Sequence, residues 1–238
     1  MGVAGVGVSR GERDLGRVGA HVRYLEAVWY LRGEKETVRR ARLASWLGVS
    51  APAVTEFVNR LVREGLLWED EHQILQLTEE GERIAEAAVR RHRIVEAWAV
   101  SSLGLDWITA DEEAQRLAPV VSDVVLERMH ALVGRPARCP HGNHIPGEPK
   151  EEVPLERLSE AEPPAVVRVE RISELAEHDS KAVLGLLMET NVVPGAILQL
   201  VSRSEVGEVA LRVGNQEHLL PPLAANSVWV ALEPASWS

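Results

Sequence analysis

The chain has 238 residues, 45% of them apolar, a formal net charge of −10 and a single cysteine. That length fits one large or two or three small domains, each with its own core, and one cysteine excludes an internal disulfide framework and suits a reducing cytoplasm. No apolar run approaches a membrane span, and the opening MGVAGVGVSR is too short and weakly apolar for a signal peptide, so a soluble cytoplasmic protein without a membrane partner is expected. The charge is uneven. Residues 1–70 carry eleven Lys and Arg against nine Asp and Glu, whereas residues 101–238 carry eleven against twenty-one, so the acid lies away from the first third of the chain. A small local excess of arginine there is compatible with a few phosphate contacts.

Residues 1–20 have no apolar periodicity and read as a flexible tail. Tyr24, Leu25, Val28, Trp29 and Leu31 trace the apolar stripe of a first helix that Gly33 ends. In RRARLASWLGVSAPAVTEFVNRLVREGLL, residues 39–67, Leu43, Ala44 and Leu47 share one helical face and Gly48 stops it. Ser50 then caps a second helix, Pro52 sits in its first turn, and Val54, Val58 and Leu61 form its apolar side. This is a helix-turn-helix. The other side of the second helix, with Ser50, Pro52, Ala53, Thr55, Glu56, Asn59 and Arg60, is the surface expected to meet double-stranded DNA. Thr55 and Ala53 suit thymine methyls, Asn59 and Arg60 suit bases or phosphates, and Glu56 suits a cytosine amine. Leu66 to Leu77 forms a two-stranded wing whose tip holds Glu69, Asp70 and Glu71, acids that phosphate would repel.

Thr78 is an N-cap for a long helix from about Glu79 to Leu103, on which His92 and Glu96 lie one turn apart. Imidazole and carboxylate at that spacing make half of a site for manganese, iron, cobalt or zinc, and equally an ordinary solvated pair. Thr109 with Glu112 reads as a capping box for a further helix whose apolar face runs from Leu117 to Met129, a surface suited to a homodimer, and Pro119 should bend or break it. Residues 139–149, CPHGNHIPGEP, form a loop. Cys139, His141 and His144 lie too close together in sequence to surround an ion unaided, and are read as part of a structural turn. The Glu- and Pro-rich residues 148–164 read as a linker. From Val166 to Leu232, short alternating runs separated by turn signals indicate a small β-barrel, interrupted by a helix over Ser180–Met188. There is no GxSxG, P-loop or HExxH, so an enzyme is not expected.

Taken together, RYLEAVWYL, LASWLGVSAPAVTEFVNRLVREGL, LTEEGERIA, RRHRIVE, LGLDW, EEAQRLAPVVSD and CPHGNHIPG cover most of residues 22–147, and in this order the chain resembles the diphtheria toxin repressor and manganese transport regulator family. The resemblance implies a mainly α fold with a small β domain: a winged helix-turn-helix over residues 21–83, a helical metal-binding and dimerisation domain over 84–147, and an SH3-like, FeoA-like barrel over 165–238. It also implies a homodimeric transcriptional repressor whose grip on operator DNA depends on manganese or iron. Carried over residue by residue, one family metal site falls on His92, Glu96 and Asp111, with His178 and Asp179 the nearest match to acidic ligands from the barrel. The other falls on Arg23, Gln115, Ala118 and Pro119, of which none is a good ligand. That site is therefore expected to be lost, its space filled by the Arg23 guanidinium. The alternatives are a regulator of this fold that no longer answers to metal, and an interaction protein that does not bind DNA.

Overall fold

In the computed structural model, which describes residues 10–233, with side chains from residue 19 onward apart from 177–179, the chain divides into two compact units, residues 1–89 and 90–238. The first unit contains α1 (Arg10–Gly33), α2 (Arg40–Leu47), α3 (Ala51–Arg63), β1 (Leu67–Glu69), β2 (Leu75–Leu77) and the first part of α4 (Glu79–Leu103). Helix α1 begins at Arg10, inside the stretch expected to be a tail, whose first nine residues lie outside the described residues. Once the amphipathic second half has nucleated, extending the helix backward gains a hydrogen bond for each residue fixed.

The helix-turn-helix forms for the reasons its sequence gives. Gly48 takes the left-handed conformation (φ 65°) that ends α2, and the Ser50 side chain accepts from the Ala53 backbone N–H to start α3. Leu25, Val28 and Leu31 of α1, Leu43 and Leu47 of α2, Val54, Val58 and Leu61 of α3, and Leu67 and Leu75 of the wing are all buried. The wing strands pair antiparallel, with Leu67 opposite Leu77. Thr78 caps α4 as expected, its Oγ1 accepting from Gly81 N at 3.1 Å while donating to the Gly65 carbonyl at 2.7 Å.

In the second unit, α4 is followed by α5 (Trp107–Leu117) and α6 (Asp123–Leu132). Pro119 does break the helix expected here, and Ser122 caps the new one. The start of α5 differs from the expected capping box. Asp106, not Thr109, is the N-cap, accepting from both Thr109 N and Thr109 Oγ1, and Glu112 instead pairs with Lys181. Aspartate wins because its carboxylate satisfies the end of the helix and complements the positive end of its dipole. Ile94, Val95, Ala114, Ala118, Leu126 and Ile145 form the core between these helices, while Val120 and Val124 stay 77% and 76% exposed.

The barrel comprises β3 (Glu156–Arg157), β4 (Ala165–Ile172), α7 (Glu174–Asp179), α8 (Lys181–Glu189), β5 (Ile197–Arg203), β6 (Val209–Val213), β7 (Gln216–Leu220), α9 (Pro222–Asn226) and β8 (Val228–Leu232). Its strands form one six-stranded sheet in the order β3-β8-β4-β5-β6-β7. It begins earlier than the sequence suggests. Within the expected linker, β3 pairs with β8 and Leu158 and Ala161 are buried in the barrel core, so only the first part of the acidic, proline-rich stretch connects the domains.

A side chain at Gly81 would place its Cβ 2.0 Å from the Leu66 carbonyl oxygen. Gly81→Ala is therefore expected to destabilise the protein by about 1–3 kcal/mol, the cost of adding volume to a filled site. The urea unfolding midpoint reads it, and an unchanged midpoint would show that the backbone at Leu66 yields freely.

Candidate metal centre and DNA-binding face

On α3, the residues expected to face DNA do point away from the core. Ser50, Pro52, Ala53, Thr55, Glu56 and Asn59 are exposed and Arg60 is half-buried. Arg60 lies against the Phe57 ring and 3.6 Å from Glu56, which pre-orients it along the helix. Sequence reasoning missed Arg40. Its guanidinium grips Glu69 of the wing through Nε (3.0 Å) and Nη2 (2.6 Å) and donates through Nη1 to Asn59 Oδ1 (3.0 Å) and the Thr55 carbonyl (3.2 Å). One arginine thus ties the start of α2, the outer face of α3 and the wing together. The hydrogen bonds from Arg40 also hold the Glu69 carboxyl below the usual carboxylate range. The other acids of the wing divide by role. Asp70 accepts from His72 N (2.9 Å) and Ile74 N (2.8 Å), shaping the turn, and Glu71 remains exposed. Glu69 is paired with Arg40, whereas Asp70 shapes the turn and Glu71 is exposed, so the tip of the wing keeps an acidic character.

In the second unit, His92 Nε2 lies 3.1 Å from Asp111 Oδ1, joining α4 to α5. Gln115 Nε2 donates to the second oxygen of Asp111 (2.8 Å). Glu96, one turn along from His92, is 1% exposed, and its Oε1 lies 2.5 Å from His141 Nδ1 in the CPHGN loop. Burial pushes the Glu96 carboxyl up, but the His141 imidazole, aided by His92 and the Cys139 thiol, outweighs it and holds the group ionised below its ordinary range. The side chains of His178 and Asp179 lie outside the described residues.

The loop is held firmly. Cys139 N donates to the Asn143 carbonyl (2.8 Å), Gly142 N to the Cys139 carbonyl (2.9 Å), and Ile172 N of β4 to the His141 carbonyl (2.8 Å). Asn143 Nδ2 donates to the Ile172 carbonyl (3.0 Å), and the His141 ring meets Trp107 edge-on at 4.7 Å. Gly142 adopts φ 82°, and a Cβ there would lie 2.1 Å from the Glu170 carbonyl oxygen, which explains the glycine after His141. His144, the third candidate ligand of this loop, points its Nε2 to the Glu148 carbonyl (2.8 Å). Next to His92 on α4, Arg93 forms a buried ion pair with Glu174 of α7 and donates to the His144 carbonyl.

At the positions of the second family site, Arg23 donates to the Leu47 carbonyl (2.9 Å). The guanidinium found on the carbonyl of Ala118 is that of Arg91, through Nε (2.9 Å), and the same group reaches the Val121 carbonyl and Asp123.

A winged helix-turn-helix followed by helices bearing clustered imidazole and carboxylate donors defines a DNA-binding regulator with a candidate cation site. Comparison with known proteins makes the class specific. Residues 21–73 match the iron dependent repressor N-terminal DNA binding domain, residues 78–147 the iron dependent repressor metal binding and dimerisation domain, and residues 156–232 the FeoA domain. The chain is 33% identical over 218 residues to the iron-dependent repressor IdeR of Mycobacterium tuberculosis, covering 87% of this chain and 94% of that one. It is 31% identical over 211 residues to the diphtheria toxin repressor of Corynebacterium diphtheriae, covering 84% and 92%. A solved manganese-dependent transcriptional repressor in complex with manganese superposes with a TM-score of 0.80 at 29% identity, over 90% of this chain and 100% of that one. The chain belongs to the iron dependent repressor family of metal-dependent transcriptional regulators.

Breaking the buried Arg93–Glu174 pair should be costly because it strands a charge. Arg93→Met is expected to lose about 3–5 kcal/mol, and Arg93→Met with Glu174→Leu to recover most of it. Chemical unfolding of both variants checks this, and equal losses in the single and double variants would mean that the cost comes from losing the pair itself and not from a stranded Glu174 charge.

Proposed function

We propose that this protein is a homodimeric repressor that reads operator DNA through the outer face of α3, and whose grip on DNA is set by a divalent metal, manganese or iron, at His92, Glu96 and Asp111. The observation that carries the reading is the meeting of His92 Nε2 and Asp111 Oδ1 at 3.1 Å across α4 and α5, with buried Glu96 one turn further along α4. These nitrogen and oxygen donors fit manganese, iron, zinc or cobalt. A bound ion would supply the positive charge that holds the donors of α4 and α5 in one arrangement. His92 and Asp111 then fix the packing of α5 on α4, and with it the apolar surface that Val120 and Val124 present to a second copy.

The second family site is read as lost. Ala118 and Pro119 carry no ligand atom, Gln115 is committed to Asp111, and Arg23 to the Leu47 carbonyl. The Arg91 guanidinium on the Ala118 carbonyl adds a positive charge where a cation would be unwelcome. This chain would therefore be governed by fewer ions than a two-site regulator. Metal and DNA affinities should be linked reciprocally, since each favours the same arrangement of the dimer.

A mobility-shift assay on the DNA upstream of the protein's own gene, with manganese, ferrous iron or chelator, tests the reading. A retarded complex that needs metal supports it. Equal binding in chelator would point to a regulator released from metal, and no binding under any condition would overturn the DNA role. In the same assay, Arg60→Ala should weaken binding across all sequences if it meets phosphate, or relax one position if it reads a base. Calorimetry on His92→Ala should show weakened metal binding, whereas tight binding untouched by the change would remove His92 from the site.

A further inference from the structure

Glu96 has partners beyond the expected metal set. Its Oε1 lies 2.5 Å from His141 Nδ1 in the CPHGN loop. A carboxylate oxygen of Glu96, Sγ of Cys139 and a ring nitrogen of His141 all lie within 4.8 Å of one another. All three residues are buried, at 1%, 5% and 0% exposure. Three groups that bind metals well, drawn from a helix and a loop, thus converge in a place closed to water. The sequence spacing of Cys139, His141 and His144 argued against a site only because neighbours in one loop cannot surround an ion unaided; His144 turns to the Glu148 carbonyl, and Glu96 supplies the missing direction. The supports of the loop resemble the outer partners that orient ligands: the Gly142 turn, the Trp107 ring packed edge-on with the imidazole, and the Ile172 N–H on the His141 carbonyl.

We propose that Glu96, Cys139 and His141 form a thiolate-containing site for a borderline-soft divalent cation, zinc or ferrous iron, with cobalt as a spectroscopic stand-in. The donor set decides the selectivity. Imidazole and thiolate together favour zinc, iron and cobalt, whereas manganese prefers oxygen donors. Binding requires the Cys139 thiol to lose its proton, which passes to the solvent, and a metal–sulfur bond forms in place of S–H. Three protein ligands leave one position of a tetrahedral ion open. The site shares Glu96 with the proposed His92–Asp111 set, so an ion in either place draws on the same carboxylate. Through the Ile172 backbone, an ion held there would join α4 to the first long strand of the barrel. This inference goes beyond the regulatory reading and does not depend on it, because the site can exist whether or not it controls DNA binding.

Cys139 is the one cysteine of the chain, so any thiolate signal belongs to it. The full-length protein is titrated with cobalt under reducing, oxygen-free conditions and followed in the near-ultraviolet. The expected result is a sulfur-to-cobalt charge-transfer band that zinc displaces, that Cys139→Ser abolishes and that Asp111→Asn leaves in place. Zinc affinity should fall by more than roughly tenfold in Cys139→Ser and His141→Gln, since loss of an outer partner alone costs about that much. Circular dichroism of each variant establishes that it is folded. The proposal is overturned if cobalt binds the wild-type chain without the band, or if no cobalt binds, because Glu96, Cys139 and His141 then form only a hydrogen-bonded structural cluster. A parallel mobility-shift assay separates the two readings. A band without metal-dependent DNA binding keeps the site and removes the regulatory reading, and metal-dependent DNA binding without a band does the reverse.

Discussion

A carboxylate buried in a helix core must be met by opposite charge or by donors, because desolvating it alone costs several kcal/mol. Glu96 imposes that requirement at the centre of the second unit. It is met from one side by His141 and Cys139 of the CPHGN loop and from within its own helix by the field of His92. Much else follows from this. The loop must return to α4, which needs the left-handed turn at Gly142, and its outer side is then free to bond β4 through Ile172 and Asn143. Arg93, next to His92, locks the same region to α7 through Glu174. Charges here are paired in space by residues far apart in sequence, so the helical module and the barrel form one compact unit around them.

A comparable constraint operates in the first unit at lower stakes. Arg40 spans α2, α3 and the wing, holding Asn59 and Glu69 in place. The cost is modest, since the groups are partly solvated, and exposed pairs of this kind contribute little stability. Their value lies in geometry: Asn59 is held on the outer face of α3 and the acid of β1 is neutralised. The negative charge of the wing is thereby offset at Glu69, beside the outer face of α3.

The helix-turn-helix was legible in the sequence because each of its determinants is local: Gly48 for the left-handed stop, Ser50 for the cap, and Val54, Val58 and Leu61 for the buried stripe. The break at Pro119 was legible for the same reason. The start of α5 was misplaced because Asp106 and Thr109 both satisfy the local rule, and only the folded chain shows Thr109 donating to Asp106 instead of capping. Strand β3 was hidden in an acidic, proline-rich run because its two residues carry no alternation of their own and are defined by their partner β8. The convergence of Glu96 with Cys139 and His141 could not be read from spacing, since no local periodicity relates a helix to a distant loop. His92 with Asp111 was reached through family resemblance, and their closeness belongs to the packing of α5 on α4.

Metal binding by this protein is proposed to hinge on Glu96, which both candidate donor sets share, while Arg23, Gln115, Ala118 and Pro119 offer no good ligand at the positions of the second family site. Native mass spectrometry of the full chain, saturated in turn with zinc and with manganese, measures this directly. The account predicts one specifically bound ion per protomer with either metal, and none in Glu96→Gln. Two ions per protomer, or one retained after Glu96→Gln, would contradict it.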